Sequence, residues 1–187
     1  PKVILETVLN RDEISAIEAL MLMREDGKIL AQLFHAADQI NQRINGTAVT
    51  YVRSRQVHYT NICRAECSFC SFWKKKGQKN AFTLTPAEVV RQIREAGAVK
   101  QVVLQGGLNP DLNLNYHLDL LRAVRDAFPS IHIHGYSPSE IHFAARRSRI
   151  SSGDVLRRFK DAGLDSLSGD SADILNDKVR KKFCSDK

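Results

Sequence analysis

Three of the four cysteines in this 187-residue chain fall within eight residues, as Cys63, Cys67 and Cys70 of the stretch YTNICRAECSFCSFW. A C-x3-C-x2-C run directly after the β-branched and aromatic segment Val57 to Thr60 lets three thiolates converge from one loop at a strand end. Structural zinc sites take four ligands, usually as two separated pairs, and only one short pair is present here. Iron and sulfur fit better. An ordinary ferredoxin site gives every iron a cysteine, so a three-cysteine loop leaves one iron of a 4Fe-4S cube without a protein ligand. Two other readings stay open on the residues alone: thiols without metal, and a zinc site completed by a distant His or by Cys184. A lone cysteine such as Cys184 is ordinarily a small buried hydrophobe, and it is not counted as a ligand.

With 43% hydrophobic and 26% charged residues, the chain is long and apolar enough for one sizeable domain. No apolar run approaches the ~20 residues of a spanning helix, and PKVILETVLNRDE lacks the basic-then-apolar order of a signal peptide. A cytoplasmic protein with reduced thiols and no membrane partner is expected. The net charge of +7 raises the question of nucleic acid. The basic residues form small clusters, Lys74 to Lys76, Arg146 to Arg149 and Lys178 to Lys182, without aromatic interleaving, so a solvated face and no nucleic-acid partner are expected.

Helical periodicity runs through residues 13–23 and again from Lys28 to Ile44, with Asp26-Gly27 as the turn between and Asn45-Gly46 as the stop. These two helices form an extension over residues 1–46, and residues 47–187 form the main domain. Thr47 to Arg53 and Gln56 to Thr60 read as strands, and Lys74 to Asn80 as a flexible polar loop. Thr85-Pro86 opens a helix ending near Gly97, Gln101 to Leu104 is a strand, and the pattern Leu114 to Phe128 is a helix. Strand 131–135, a helix from Ser137-Pro138, a helix from Ser151 to Ala162, strand 165–168 and a helix around Ala172 to Phe183 follow. Alternating strands and helices mean an α/β fold with parallel strands, which both a doubly wound sheet and a barrel satisfy.

The cysteine run resembles that of the radical S-adenosylmethionine (radical SAM) superfamily, in which the open iron chelates SAM and an external electron donor drives cleavage of its sulfonium bond. The resemblance implies a (β/α) TIM-like barrel with the cluster loop after its first strand. A full barrel takes ~250 residues. About four barrel strands are present here, so the chain is expected to be the N-terminal half, a fragment or truncated product with its C-terminal half missing. Its last strand edge and its inner apolar side chains are expected to face water. TYVRSRQVHYTNIC, VLQGGLNPDLNLNYHLDLLRAVRDAFPSIHIHGYSPSEI and GLDSLSGDSADILNDKVRKKFCSDK are similar to the group containing deazaflavin synthase and the menaquinone-pathway futalosine enzymes. QGGLNPDL and FCSDK favour the deazaflavin branch. The implied reaction is a radical transferase step of coenzyme biosynthesis on tyrosine and 5-amino-6-(D-ribitylamino)uracil, with dehypoxanthine futalosine cyclase or an inactive metal-binding fragment as alternatives. Ser168-Gly169-Asp170-Ser171-Ala172-Asp173 departs from the group's Pro-Gly-Thr-Ala-Ala-Glu or Pro-Gly-Gly-Gly-Ala-Glu, and His134-Gly135-Tyr136-Ser137-Pro138 from its His-Ala-Phe-Ser-Pro.

The resemblance implies Cys63, Cys67 and Cys70 as iron ligands, Phe69 beside the SAM adenine, and Gln105, Gly106 and Gly107 at the SAM methionyl amine. Glu140 at the functional end of the third strand joins them as cofactor-binding. Each has a plainer alternative: packing for Phe69, a simple turn for Gly106-Gly107, a helix-start carboxylate for Glu140. His132 and His134 alternate along one strand and so share a face. Tyr59 and Asn61 flank the loop, with its hydrogen bonding as their ordinary role. No general base is assigned.

Overall fold

The computed structural model describes residues 1–11, 13–169 and 175–184. The chain divides into two units, Pro1–Tyr51 and Val52–Lys187.

The first unit is helical: α1 (Lys2–Arg11), α2 (Ala16–Leu22) and α3 (Gly27–Asn45). Two helices were expected here, and α1 is the addition. Its Ile4 and Leu5 join Leu22 and Ala36 in a small core, with Leu9 packed against it, and Val8, three and four residues on, is buried on the same helical face. Ser15 and Glu18 close a reciprocal cap on α2, and Gly46, at φ 72°, ends α3. The strand expected over Thr47 to Arg53 does not form: those residues carry no strand and are exposed. Val, Tyr and Thr favour a pleated surface only where a partner strand and a packed face exist.

The second unit runs β1 (Ser54–Thr60), α4 (Pro86–Glu95), β2 (Gln101–Gly106), α5 (Leu114–Ala127), β3 (His132–Gly135), α6 (Pro138–Ser148), α7 (Ser152–Asp161), β4 (Ser166–Leu167) and α8 (Asp177–Phe183). The four strands are parallel and lie in the order β1-β2-β3-β4. A doubly wound sheet reverses its strand order at a switch point, whereas a barrel adds each strand beside the last. The sequential order therefore decides for the barrel type. Val57 and Tyr59, Val102 and Leu104, and Ile133 pack with α4, α5, α6 and α7 residues such as Ile93, Leu121, Ile141 and Phe159 in one buried core.

The alternate positions face the other way and, apart from Val103, they are polar, which corrects the expectation of an apolar inner face. Gln56 Nε2 donates to Gln105 Oε1 at 2.6 Å. His132 Nε2 and His134 Nδ1 each share a hydrogen bond with Ser166 Oγ, both at 2.7 Å. The general rule that branched aliphatics fill a barrel is carried here mainly by the helix-facing set, with Val103 on the inner face. The helix expected around Ala172 to Phe183 is described only as α8, since residues 170–174 lie outside the described residues.

Candidate functional site

The site lies beyond the C-terminal ends of β1, β2 and β3. The β1–β2 register shifts between His58 and Thr60, placing Tyr59 opposite no partner just where the strand hands over to the cysteine loop. The loop is tied at several points. Ile62 bridges Lys74, Lys74 N–H donates to Asn61 O at 2.8 Å, and Cys63 N–H donates to Lys74 O at 3.2 Å. Asn61 is buried; its amide donates to Asn80 O at 2.9 Å and accepts from Phe82 N–H at 2.8 Å. The expected flexible loop over Lys74 to Asn80 is thus pinned at both ends. Lys75 pairs with Glu66 at 3.0 Å and Lys76 with Asp111 at 2.8 Å, so part of that basic cluster is locally balanced.

Inside the loop, Glu66 adopts a left-handed φ of 45° between the first two cysteines. Trp73 Nε1 donates to Cys67 O at 3.1 Å, and Cys70 N–H to the same carbonyl at 3.0 Å, folding the loop back on itself. Cys67 is buried; Cys63 and Cys70 are half-buried.

One cavity of about 400 Å³ gathers the site. Cys63, Cys67, Cys70, Phe69, Gln105, Gly106, Gly107 and Glu140 all line it, so three strand ends bring together every metal and cofactor residue selected from the sequence. His132 and His134 are not among its lining residues. Tyr59 sits in the core on the helix side. The sequence reading missed His58, Phe72 and Trp73, which also line the cavity. Strand alternation from Val57 could have found His58, which stacks against Phe72 with ring centroids 4.5 Å apart and whose pKa is lowered by burial. Cys184 is buried against Ala65, Cys67 and Leu108.

The two glycines are forced by close approach. A Cβ on Gly106 would sit 2.4 Å from the Tyr59 ring, and one on Gly107 2.3 Å from Ile62 O and 2.7 Å from Cys63 Cβ. The turn they form brings Leu108 N–H to Cys63 Sγ at 3.3 Å. Behind it stands Glu140, buried at the start of α6. Its Oε1 accepts from Tyr59 OH at 2.6 Å and from Gly106 N–H at 3.0 Å. Its Oε2 accepts from Ser137 N–H and Ser137 OH, both at 2.7 Å. Burial raises the Glu140 pKa above its ordinary value, although each of those hydrogen bonds works to lower it.

A cavity at the C-terminal ends of sequentially ordered parallel strands, with three loop cysteines on its wall, defines a class, and the family model described as the radical SAM superfamily matches residues 57–187. The chain belongs to that superfamily. It is 36% identical over 194 residues to a 5-amino-6-(D-ribitylamino)uracil–L-tyrosine 4-hydroxyphenyl transferase of Trichormus variabilis, covering 99% of this chain and 49% of the relative. It is 41% identical over 169 residues to an FO synthase of Nocardia farcinica, covering 89% of this chain and 20% of that one. The chain thus spans half or less of the length of these curated relatives. Among solved structures, methylornithine synthase matches with a TM-score of 0.69 at 17% identity, over 98% of this chain and 51% of that one. An FeFe-hydrogenase maturase from Carboxydothermus hydrogenoformans matches at 0.60 and 21%, over 89% and 46%. These likenesses show the fold.

The superfamily implies a 4Fe-4S cluster and SAM, and the residues present fit them. Among the described residues no three His, Cys, Asp or Glu side chains stand close enough to share one metal ion. What the loop offers is three separate thiol donors on one cavity wall, and a cube takes each thiolate on a different iron. Gly107 leaves room beside Cys63, and the Leu108 N–H already points at its sulfur. Among the described residues no helix is long and apolar enough to cross a membrane.

Proposed function

We propose that this chain carries the cluster-binding and SAM-binding part of a radical SAM transferase of coenzyme biosynthesis, acting on tyrosine and 5-amino-6-(D-ribitylamino)uracil. The observation that supports this most is the single cavity lined by all three cysteines and the β2-end glycines. The names of the similar proteins favour the transferase over the futalosine cyclase. Cys63, Cys67 and Cys70 hold three irons, and the Trp73 hydrogen bond to Cys67 O fixes the span between them. Phe69 would lie beside the adenine of SAM, and Gln105, Gly106 and Gly107, on the same cavity wall, would meet its methionyl end. When bound, the cluster and SAM would supply one-electron reductive chemistry for hydrogen-atom abstraction from substrate. The polar inner face of the strands offers hydrogen-bonding groups to a ribityl chain and a uracil ring. The need to keep these thiols reduced and to receive an electron from a donor supports a reducing compartment such as the cytoplasm.

Anaerobic reconstitution tests the reading. About four irons per chain, a SAM-dependent change in the cluster spectrum, and loss of that iron when any of Cys63, Cys67 or Cys70 is replaced by Ala are expected. Tight zinc with no iron, or full cluster retention in Cys67→Ala, would sink it. Turnover of tyrosine and the uracil substrate, measured separately, decides the transferase assignment.

A further inference from the structure

We infer that Glu140 is a positioning residue: it fastens the Gly106-Gly107 turn to β1 and α6, so that the Leu108 N–H is presented to the Cys63 sulfur. This rests on the cluster reading of the site, and it separates Glu140 from the residues that touch SAM.

The geometry carries the inference. A carboxylate has about four acceptor positions, and four protein donors point at this one: Tyr59 from β1, Gly106 from the end of β2, and two from Ser137 at the start of α6. Nothing in that arrangement leaves a position suited to a ligand's ammonium group. The Gly106 amide is held by the carboxylate, the Gly107 amide by Thr60 O at 3.0 Å, and the next amide, Leu108, reaches Cys63 Sγ. Arg64 N–H returns to Leu108 O at 3.1 Å, closing the turn onto the cysteine loop. Glu140 therefore acts two residues away from the sulfur contact it sets. Partners of this kind orient the groups that bind a metal and are felt when removed.

The test uses the full chain with Glu140→Gln, Glu140→Ala and, as a control, Glu88→Ala, which removes the equivalent carboxylate at the start of α4. Two quantities are read: the rate of Cys63 alkylation in the metal-free chain, mapped by peptide mass against Cys70, and SAM affinity of the reconstituted chain from the change in its cluster spectrum. A glutamine keeps one acceptor oxygen for Gly106 N–H and Tyr59 OH. Glu140→Ala is expected to speed Cys63 alkylation selectively and weaken SAM binding about tenfold or more, Glu140→Gln to stay near the parent in both, and Glu88→Ala to change neither. Equal loss of SAM affinity in Gln and Ala with Cys63 alkylation unchanged would make Glu140 a direct charged ligand and overturn the proposal. No change in either quantity for Glu140→Ala would reduce it to a helix cap and overturn it too. Should Glu140→Ala fail to fold, Tyr59→Phe removes one donor and leaves the carboxylate; Cys63 alkylation must still rise selectively. The alkylation reading needs no metal, so a chain that never takes up iron refutes the function and leaves the Glu140 result standing.

Discussion

Two helices of the second unit begin with the same signature, Thr85-Pro86-Ala87-Glu88 at α4 and Ser137-Pro138-Ser139-Glu140 at α6. Each closes a reciprocal capping box: the hydroxyl accepts from the glutamate N–H, and the glutamate carboxylate accepts from the cap residue. Among the described residues the partly exposed Glu88 carboxylate bonds only Thr85, whose backbone and hydroxyl hold its pKa below the usual value. Glu140 makes the same local bonds and also reaches Tyr59 and Gly106, under full burial that raises its pKa. The cap belongs to the four residues. Whether its carboxylate is a surface group or a strut depends on the strand end that the helix follows.

The sharpest way to break this comparison is to remove both carboxylates. Glu140→Leu leaves Tyr59 OH, Gly106 N–H and Ser137 N–H without their acceptor in a buried setting, and is expected to cost about 3 to 5 kcal/mol. Glu88→Leu should cost far less, because water replaces the lost acceptor. Urea midpoints read from near-ultraviolet tyrosine signals compare them, and equal losses would show that Glu140 is only a cap.

How far the sequence could have led follows from the same contrast. Features set by neighbours along the chain were legible: the caps at Thr85 and Ser137, the Asn45-Gly46 stop, the strand alternation from Val57, and the cysteine loop. Thr47 to Arg53 misled because strand propensity is realised only against a partner. Helix α1 was missed although Ile4, Leu5 and Val8 lie on one face. The glycine pair was read for a ligand, while its tight contacts are with Tyr59, Ile62 and Cys63. Glu140's second pair of bonds joins positions 34 and 81 residues away, and nothing in Ser-Pro-Ser-Glu announces them.

A second buried titrating group lies in the same aromatic core. His117 packs edge-on against Tyr59 and Tyr136, with ring centroids 5.5 Å apart in both pairs. Its Nδ1 has no partner among the described residues, and burial pushes its pKa down to about 4. The unfolded imidazole, with its ordinary pKa of 6.5, therefore binds more protons between about 4 and 6.5. Stability rises with pH through that window and is lost as pH falls. Between pH 7 and 5 the loss should be about 2 kcal/mol, and His117→Leu should flatten it. An unchanged acid slope in that variant would assign the loss elsewhere.

Tyr59→Phe comes next in size. It removes one donor to Glu140 Oε1 and leaves Gly106 N–H in place, so about 1.5 kcal/mol should be lost. Combined with Glu140→Leu, the tyrosine change should cost nothing further and recover part of the loss, since it removes the hydroxyl that the leucine leaves unpaired. Full additivity would mean that the 2.6 Å contact contributes nothing.

The smallest effect is also the most specific to the comparison, because it is a difference of sign. Both glutamates start from an ordinary pKa of 4.5. Glu140, raised in the fold, keeps its proton longer than in the unfolded chain, so native stability falls as pH rises through the window just above 4.5. Glu88, lowered in the fold, ionises earlier than in the unfolded chain; its contribution is present above 4.5 and disappears as pH falls through the window below it. Glutamine at either position removes the titration and keeps the size. The penalty of Glu140→Gln should therefore shrink as pH rises above 4.5, while that of Glu88→Gln should shrink as pH falls below it. Melting points of the two variants and the parent, taken at closely spaced pH from 3.5 to 7, test this directly. Parallel pH profiles for the two variants would mean that the α6 carboxylate is as open to water as its twin on α4, and the strut at the centre of the site would be no more than a cap.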